Sequence, residues 1–305
     1  MPKKPCGIKI EKGKSVTTAQ IYFTKMQGLG NDFVILDSIT QPVKVDSTLA
    51  RKIADRHFGI GCDQVLVVEP PATPECDFNY RIFNADGKEV AQCGNGARCF
   101  GRYVYERGLT DKKQLLIGTL SGNIIVDLSD ITRIQVDMGV PQFSPKVIPL
   151  NIKAVTKGDK QGRYKIQIQG HFRDVSILSM GNPHCIMAVH SVGEAPVNEI
   201  GSLLQKHPAF PKGVNVTFMQ VLARNHVRCR VFERGVGETM ACGTAACAAV
   251  VSGIMQKELN SQVKVDMPGG YLTVEWISDN GVWLSGPATN VFEGHFAIDL
   301  PPTDD

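Results

Sequence analysis

The chain has 305 residues, 43% of them hydrophobic and 21% charged, and a net charge of +3. That is the composition of a globular protein long enough for two domains with their own cores, and the charge is too small for nucleic acid or an anionic membrane to be the main partner. No apolar run reaches the length of a membrane span. Nine cysteines and no secretory signal point to reduced thiols in a cytoplasmic protein. Cys93/Cys99 and Cys242/Cys247 are not spaced as zinc ligands, so no metal is expected.

Residues 1–20 are polar and Lys-rich, without periodicity, and read as a disordered extension. A targeting peptide is poorly supported there, since Arg and an apolar stretch are both lacking. The first strand is expected at Ile21–Met26, followed by the turn Gly28–Asp32 and the strand Phe33–Leu36. Asp46 or Ser47 starts a helix running to about Arg56. Strands at Val65–Val68 and Phe78–Phe83 precede a helix from about Asn95 to Arg107, closed by Gly108. Short strands dominate from 115 to 178. The turn Gly181–His184, the strand Cys185–Val189 and a helix near Val197–Lys206 follow. Strands 214–222 and 227–232 lead to GTAACAAVVSGIM after Cys242. That stretch is small and apolar on every face, as in a buried helix. Four more strands finish the chain. Many strands with few helices and no βαβ alternation indicate an α+β fold.

The sequence repeats itself. Placing Cys93 on Cys242 superposes Arg81 on Arg230, Phe83 on Phe232, Glu89 on Glu238, Gly94 on Gly243 and Ala97 on Ala246, so that six of 17 ungapped positions are identical. Gln64 follows Asn31 by 33 residues, and Asn215 follows Asn182 by 33; Asn84 and Glu233 each stand nine residues before their cysteine. Each half therefore offers an amide-bearing turn, a second amide, a polar residue and a cysteine at a helix start. Backbone N–H groups and the helix dipole at such a start are expected to lower a thiol's pKa.

Two like acid–base groups suit inversion at a carbon centre, where one takes a proton from one face and the other returns one to the opposite face. Helix-start amides would hold the carboxylate beside the reacting carbon. No pyridoxal lysine signature is recognisable, so a route without cofactor is expected.

The stretches FTKMQGLGNDFVILD, GCDQ, FNADGKEVAQCGNGARC, GNPH, GVNV and FERGVGETMACGT closely resemble the diaminopimelate epimerase family over residues 21–300. The resemblance implies a pyridoxal-independent enzyme interconverting LL- and meso-diaminopimelate in lysine and peptidoglycan precursor synthesis. It implies two pseudo-symmetric domains, each a β-structure around a central helix, 21–139 with 288–300 and 140–287, with the site in the cleft between them. It also implies a homodimer. Carried onto this chain, Cys93 and Cys242 are the catalytic bases, His184 working with Cys93 and Glu233 with Cys242. Asn31, Gln64, Asn84, Asn182, Asn215, Glu233 and Arg234 bind substrate. Gly94-Asn95 and Gly243-Thr244 form the pockets for the carboxylate at the reacting carbon. Amides suit a substrate that is zwitterionic at both ends, and Arg234 suits its distal carboxylate. The chain departs from the family in having Ala245 where Gly is usual, and in its N-terminal extension.

Other readings stay open: a proline racemase-like enzyme with the same two-base logic, and a thiol redox protein or silent binding module. Gly28-x-Gly30 and Gly59-x-Gly61 lack the third glycine of a dinucleotide fingerprint. The separation of 149 residues between Cys93 and Cys242 is unlike the close pair of a dithiol exchanger.

Overall fold

The computed structural model describes residues 10–13, 16–91, 93–277 and 281–299. The chain divides into two compact units, one built from residues up to Ile134 together with those from Pro287 onward, the other from Gln135–Gly286. The first break falls five residues before the expected one, because the strand Ile134–Asp137 pairs with Trp283–Gly286 and Met138 N–H donates to Val282 O at 2.8 Å.

In the first unit, Val16–Gly28 runs antiparallel to Asn31–Asp37, which is parallel to Gln64–Glu69. Gln64–Glu69 is antiparallel to Phe78–Asn84, and that strand pairs with both Glu89–Val90 (antiparallel) and Gln114–Thr119 (parallel). Gly122–Asp127 closes a hairpin on Gln114–Thr119. The second unit repeats this strand for strand. His171–Ser179, Pro183–Ala188, Asn215–Ala223, His226–Glu233, Gly237–Thr239, Gln262–Met267 and Gly270–Glu275 pair in the same order and with the same senses. The repeat read from a few landmarks is thus a duplicated topology. It extends to side chains: Arg81 grips Glu89 through two bonds of 2.8 Å, and Arg230 grips Glu238 through bonds of 2.6 and 2.9 Å.

Among the described residues each unit has two α-helices. The first has α1 (Ser47–Ala54) and α2 (Gly94–Glu106); the second has α3 (Val197–Gln205) and α4 (Gly243–Met255). Asp46 caps α1 by accepting from Leu49 N–H at 2.8 Å. Successive strand residues point to opposite faces, so the run Phe33-Val34-Ile35-Leu36 buries both. Val34 and Leu36 join Ala50 and Ile53 of α1 in one cluster. On the other face Phe33 approaches Gly96 of α2, and the Phe100 ring of α2 meets Tyr80 edge-on at 5.2 Å. In the second unit Met187, Val216 and Phe218 pack with Ile200 and Leu204 of α3. The small apolar α4 lies against the strands His171–Ser179, Pro183–Ala188, Asn215–Ala223 and Gly270–Glu275. Ten residues of α2 and ten of α4 are buried, as expected of helices enclosed by sheet.

Of the expected extension, residues 10–13 and 16–20 are described and lie in strands, and the remainder falls outside the described residues. Ile10–Gly13 forms a hairpin with Val16–Ala19, whose strand also pairs with Thr289–Asp299. The β-branched run Val16-Thr17-Thr18 favours this extended form. Among the described residues no helix is long and apolar enough to cross a membrane.

Candidate active site

Cys93 and Cys242 occupy the N-cap positions of α2 and α4, both extended (φ −141° and −133°). Their carbonyls accept the first helical bonds, from Ala97 N–H at 2.8 Å and Ala246 N–H at 3.0 Å. The following helix-start amides belong to Gly94-Asn95-Gly96 and Gly243-Thr244-Ala245, and the first helical N–H groups have no partner within the helix. Each such start suits a carboxylate.

Beside Cys93 the first unit places Asn31, which is bonded in turn to Asn95. The Cys93 thiol lies 3.6 Å from Asn31 Oδ1, which also accepts from Asn95 Nδ2 at 3.4 Å. Gln64 and Asn84 face each other across paired strands, and Gln64 Nε2 donates to Asn84 Oδ1 at 2.8 Å. The buried Tyr80 hydroxyl donates to Cys93 O at 3.5 Å.

Around Cys242 the second unit gathers Asn182, His184, Asn215, Glu233 and Thr244. Thr244 Oγ1 lies 3.5 Å from Cys242 Sγ and accepts from Asn182 Nδ2 at 3.4 Å. His184 Nε2 is 2.8 Å from Asn182 Oδ1. Burial, and then the charge of Arg234, push the His184 pKa down to about 3, so the ring is neutral at working pH and its Nε2–H donates to Asn182. Nδ1 is buried without a hydrogen-bond partner among the described residues. Asn215 Nδ2 donates to Pro183 O at 3.2 Å, and its Oδ1 accepts from Arg234 N–H at 2.9 Å. The Arg234 side chain is exposed, with Nη1 donating to Lys212 O at 3.3 Å. Glu233 Oε1 accepts from Thr239 Oγ1 at 2.6 Å.

One expectation fails at Cys242. A helix start lowers a thiol's pKa, yet this one is pushed well above the ordinary value. Burial is the first cause and the neighbouring Glu233 carboxylate the second, together outweighing the Thr244 hydroxyl that favours the thiolate. Cys242 is 7% exposed, so the loss of water outweighs the helix dipole. Cys99, Cys185 and Cys229 are likewise raised by burial to about 12, as befits packing thiols.

Three polar residues at these sites escaped the sequence reading. Asp63 Oδ2 accepts from Asn31 Nδ2 at 3.0 Å. Arg98, fully buried on α2, donates to Asn95 Oδ1 at 2.9 Å, Gly94 O at 3.3 Å and Pro287 O at 3.2 Å. Thr239 braces Glu233. Asp63 and Arg98 lie inside the quoted stretches GCDQ and CGNGARC, and Arg98 stands one helical turn after Gly94, on the same face.

The family model described as diaminopimelate epimerase matches residues 23–144 and 176–291. The chain belongs to the diaminopimelate epimerase family. It is accordingly an enzyme of the epimerase class of isomerases. Among solved structures, a hydroxyproline epimerase from Agrobacterium vitis with bound trans-4-hydroxy-L-proline has a TM-score of 0.66 at 15% identity, with 92% of this chain and 94% of that one covered. A probable proline racemase from Agrobacterium radiobacter has a TM-score of 0.64 at 15% identity, covering 93% and 94%. A Bacillus anthracis phenazine biosynthesis protein of the PhzF family has a TM-score of 0.60 at 18% identity, covering 91% and 99%. At these identities the likeness concerns the fold, and the duplicated pattern of strands around a central helix is what this family member shares with them.

Proposed function

We propose that this protein interconverts LL- and meso-diaminopimelate by a two-base route without cofactor. Cys93 and Cys242 serve opposite faces of one α-carbon, one as thiolate and the other as thiol. The thiolate takes the α-proton, leaving its electron pair on carbon, and the thiol delivers a proton to the other face. The two protonation states are then exchanged. A turnover in the reverse direction, or proton exchange with solvent through Glu233, restores them.

The observation that carries this reading is the matched construction of the two half-sites. Each has an N-cap cysteine, a turn asparagine bonded to the second helical residue (Asn95 or Thr244), and a second amide on the next strand. Glu233 beside Cys242 is suited to receive the thiol proton. The helix starts Gly94-Asn95 and Gly243-Thr244 suit the carboxylate at the reacting carbon, where charge develops as the proton leaves. Asn31, Gln64, Asn84, Asn182 and Asn215, with the exposed Arg234, suit a long substrate that carries an ammonium and a carboxylate at each end.

The second reading is a proline- or hydroxyproline-type racemase, favoured by the fold shared with the two Agrobacterium proteins. One experiment separates the two. The reduced protein is incubated in D₂O with LL-diaminopimelate, L-proline or trans-4-hydroxy-L-proline, and α-deuterium and stereochemistry are followed. Exchange and meso product from diaminopimelate alone are expected. Exchange with the cyclic amino acids instead would transfer the assignment to the racemase.

A further inference from the structure

The Asn31 amide beside Cys93 is held between two charged residues, and their chemistry fixes which way it points. A carboxylate only accepts, so the Asn31 atom 3.0 Å from Asp63 Oδ2 is the amide nitrogen. A guanidinium only donates, so the Asn95 atom 2.9 Å from Arg98 Nη2 is the amide oxygen. That leaves Asn95 Nδ2 to donate to Asn31 Oδ1, at 3.4 Å. The result is a one-way chain, Arg98 to Asn95 to Asn31 to Asp63, with no freedom for either amide to turn over. Its midpoint, Asn31 Oδ1, is the atom 3.6 Å from the Cys93 sulfur.

Asp63 is itself well fixed. Its Oδ2 also accepts from Asp32 N–H at 3.1 Å and its Oδ1 from Arg56 at 2.8 Å, while Asp63 N–H donates to Asp32 Oδ1 at 2.8 Å. Among the described residues the second half-site has no such anchor. Counting along the repeat, the position of Asp63 is Val214 and that of Asp32 is Pro183. There His184 orients the turn asparagine from the opposite end, by donating to its oxygen. Asn182 consequently turns its N–H groups toward Thr244, whose Oγ1 lies 3.5 Å from Cys242 Sγ.

We propose that Asp63 is a positioning residue: by fixing the Asn31 amide it presents an acceptor to Cys93 and keeps that sulfur in its protonated, proton-donating form. The same oxygen suits a substrate ammonium and repels a carboxylate. This deepens the two-base reading, on which the proton-donating role rests. The Tyr80 phenol and the Cys99 thiol are both raised by burial and stay neutral at working pH.

The test needs no substrate, so it stands apart from the epimerase assay. Cys93 in the full reduced chain is alkylated with iodoacetamide at pH 7.5 and followed by peptide mass mapping. Asp63→Asn removes the charge and keeps an acceptor oxygen; Asp63→Leu removes both. The Asn variant is expected to react within twofold of wild type. The Leu variant is expected to react at least fivefold faster, because Asn31 is then free to offer its N–H groups to the thiolate. Equal rates in the two variants, or any other order, overturn the proposal. Simultaneous labelling of buried Cys62 would mark a loosened structure and overturn it too. Asp63→Ala carries the same expectation if the Leu variant does not melt cooperatively.

Discussion

Gly96 and Ala245 occupy the same place in the two halves, three residues after Cys93 and Cys242, and only one of them has room to be glycine-free. A methyl built on Gly96 would lie 2.6 Å from the Tyr80 hydroxyl and 3.3 Å from Leu66 and Phe33. In the second half the position of Tyr80 is held by Cys229, a far smaller residue, and Ala245 is fully buried. The alanine that stands where the family usually has glycine thus goes with a small strand residue, and it brings the better helix former.

Gly96→Ala is therefore expected to destabilise the protein by about 1–3 kcal/mol through overpacking against Tyr80. Ala245→Gly should cost only about 1 kcal/mol and leave the site intact. Urea unfolding of the two variants checks the contrast; equal losses would refute the account of Ala245.

Glu233→Gln removes the negative charge that opposes ionisation of Cys242. The Cys242 pKa should fall, so alkylation of Cys242 at pH 8 should become faster. Turnover should nevertheless drop by about a hundredfold, since the group that receives the thiol proton is lost. A variant slower in both measurements would contradict the coupling.

Thr244→Val removes the hydroxyl between Asn182 and Cys242, while Thr244→Ser retains it. One lost hydrogen bond of this kind is worth about 1 kcal/mol. The Val variant is expected to lose roughly five- to tenfold in kcat/KM by α-deuterium exchange, and the Ser variant less than twofold.

His184 gives a signature in stability against pH. Its folded-state pKa lies at about 3, below the 6.5 of an unburied histidine. A depressed group supports the fold above the unfolded pKa, and that support is lost as pH falls toward the folded one. Between pH 6.5 and 3 it costs about 1.4 kcal/mol per pH unit. The repeat places Phe33 at the equivalent position, so His184→Phe is a shape-compatible control. The stability of wild type minus that of the variant should decline from pH 7 to pH 5 in urea titrations. A constant difference would show that the ring is not buried and neutral.

The element boundaries were legible because both signals were strong. FVIL and VLVV are bounded by glycine turns, and the all-apolar helix after Cys242 left no face for water. The repeat exposed Asn31, Gln64, Asn182 and Asn215 as matched positions, and the quoted motifs supplied the rest. Glu89–Val90 and Gly237–Thr239 escaped notice, being two and three residues long, too short for an alternating pattern. Asp63 and Arg98 were hidden for another reason. Charged residues are ordinarily on the surface, and nothing in a string of letters shows that Arg98 turns inward to bond an asparagine one turn back. The Cys242 pKa was misjudged because a helix start is visible in sequence and desolvation is not.

The first unit is assembled from both ends of the chain. Thr289–Asp299 pairs along Val16–Gly28, while Arg98 and Arg102 of α2 donate to Pro287 O and Ala288 O. During synthesis, then, the stretch bearing Cys93 emerges early and stays unfinished while some 150 later residues form a complete unit of their own. Arg98 meets Pro287 O only after the whole second unit has been made, so the Cys242 half-site has its residues in hand before the Cys93 half-site does.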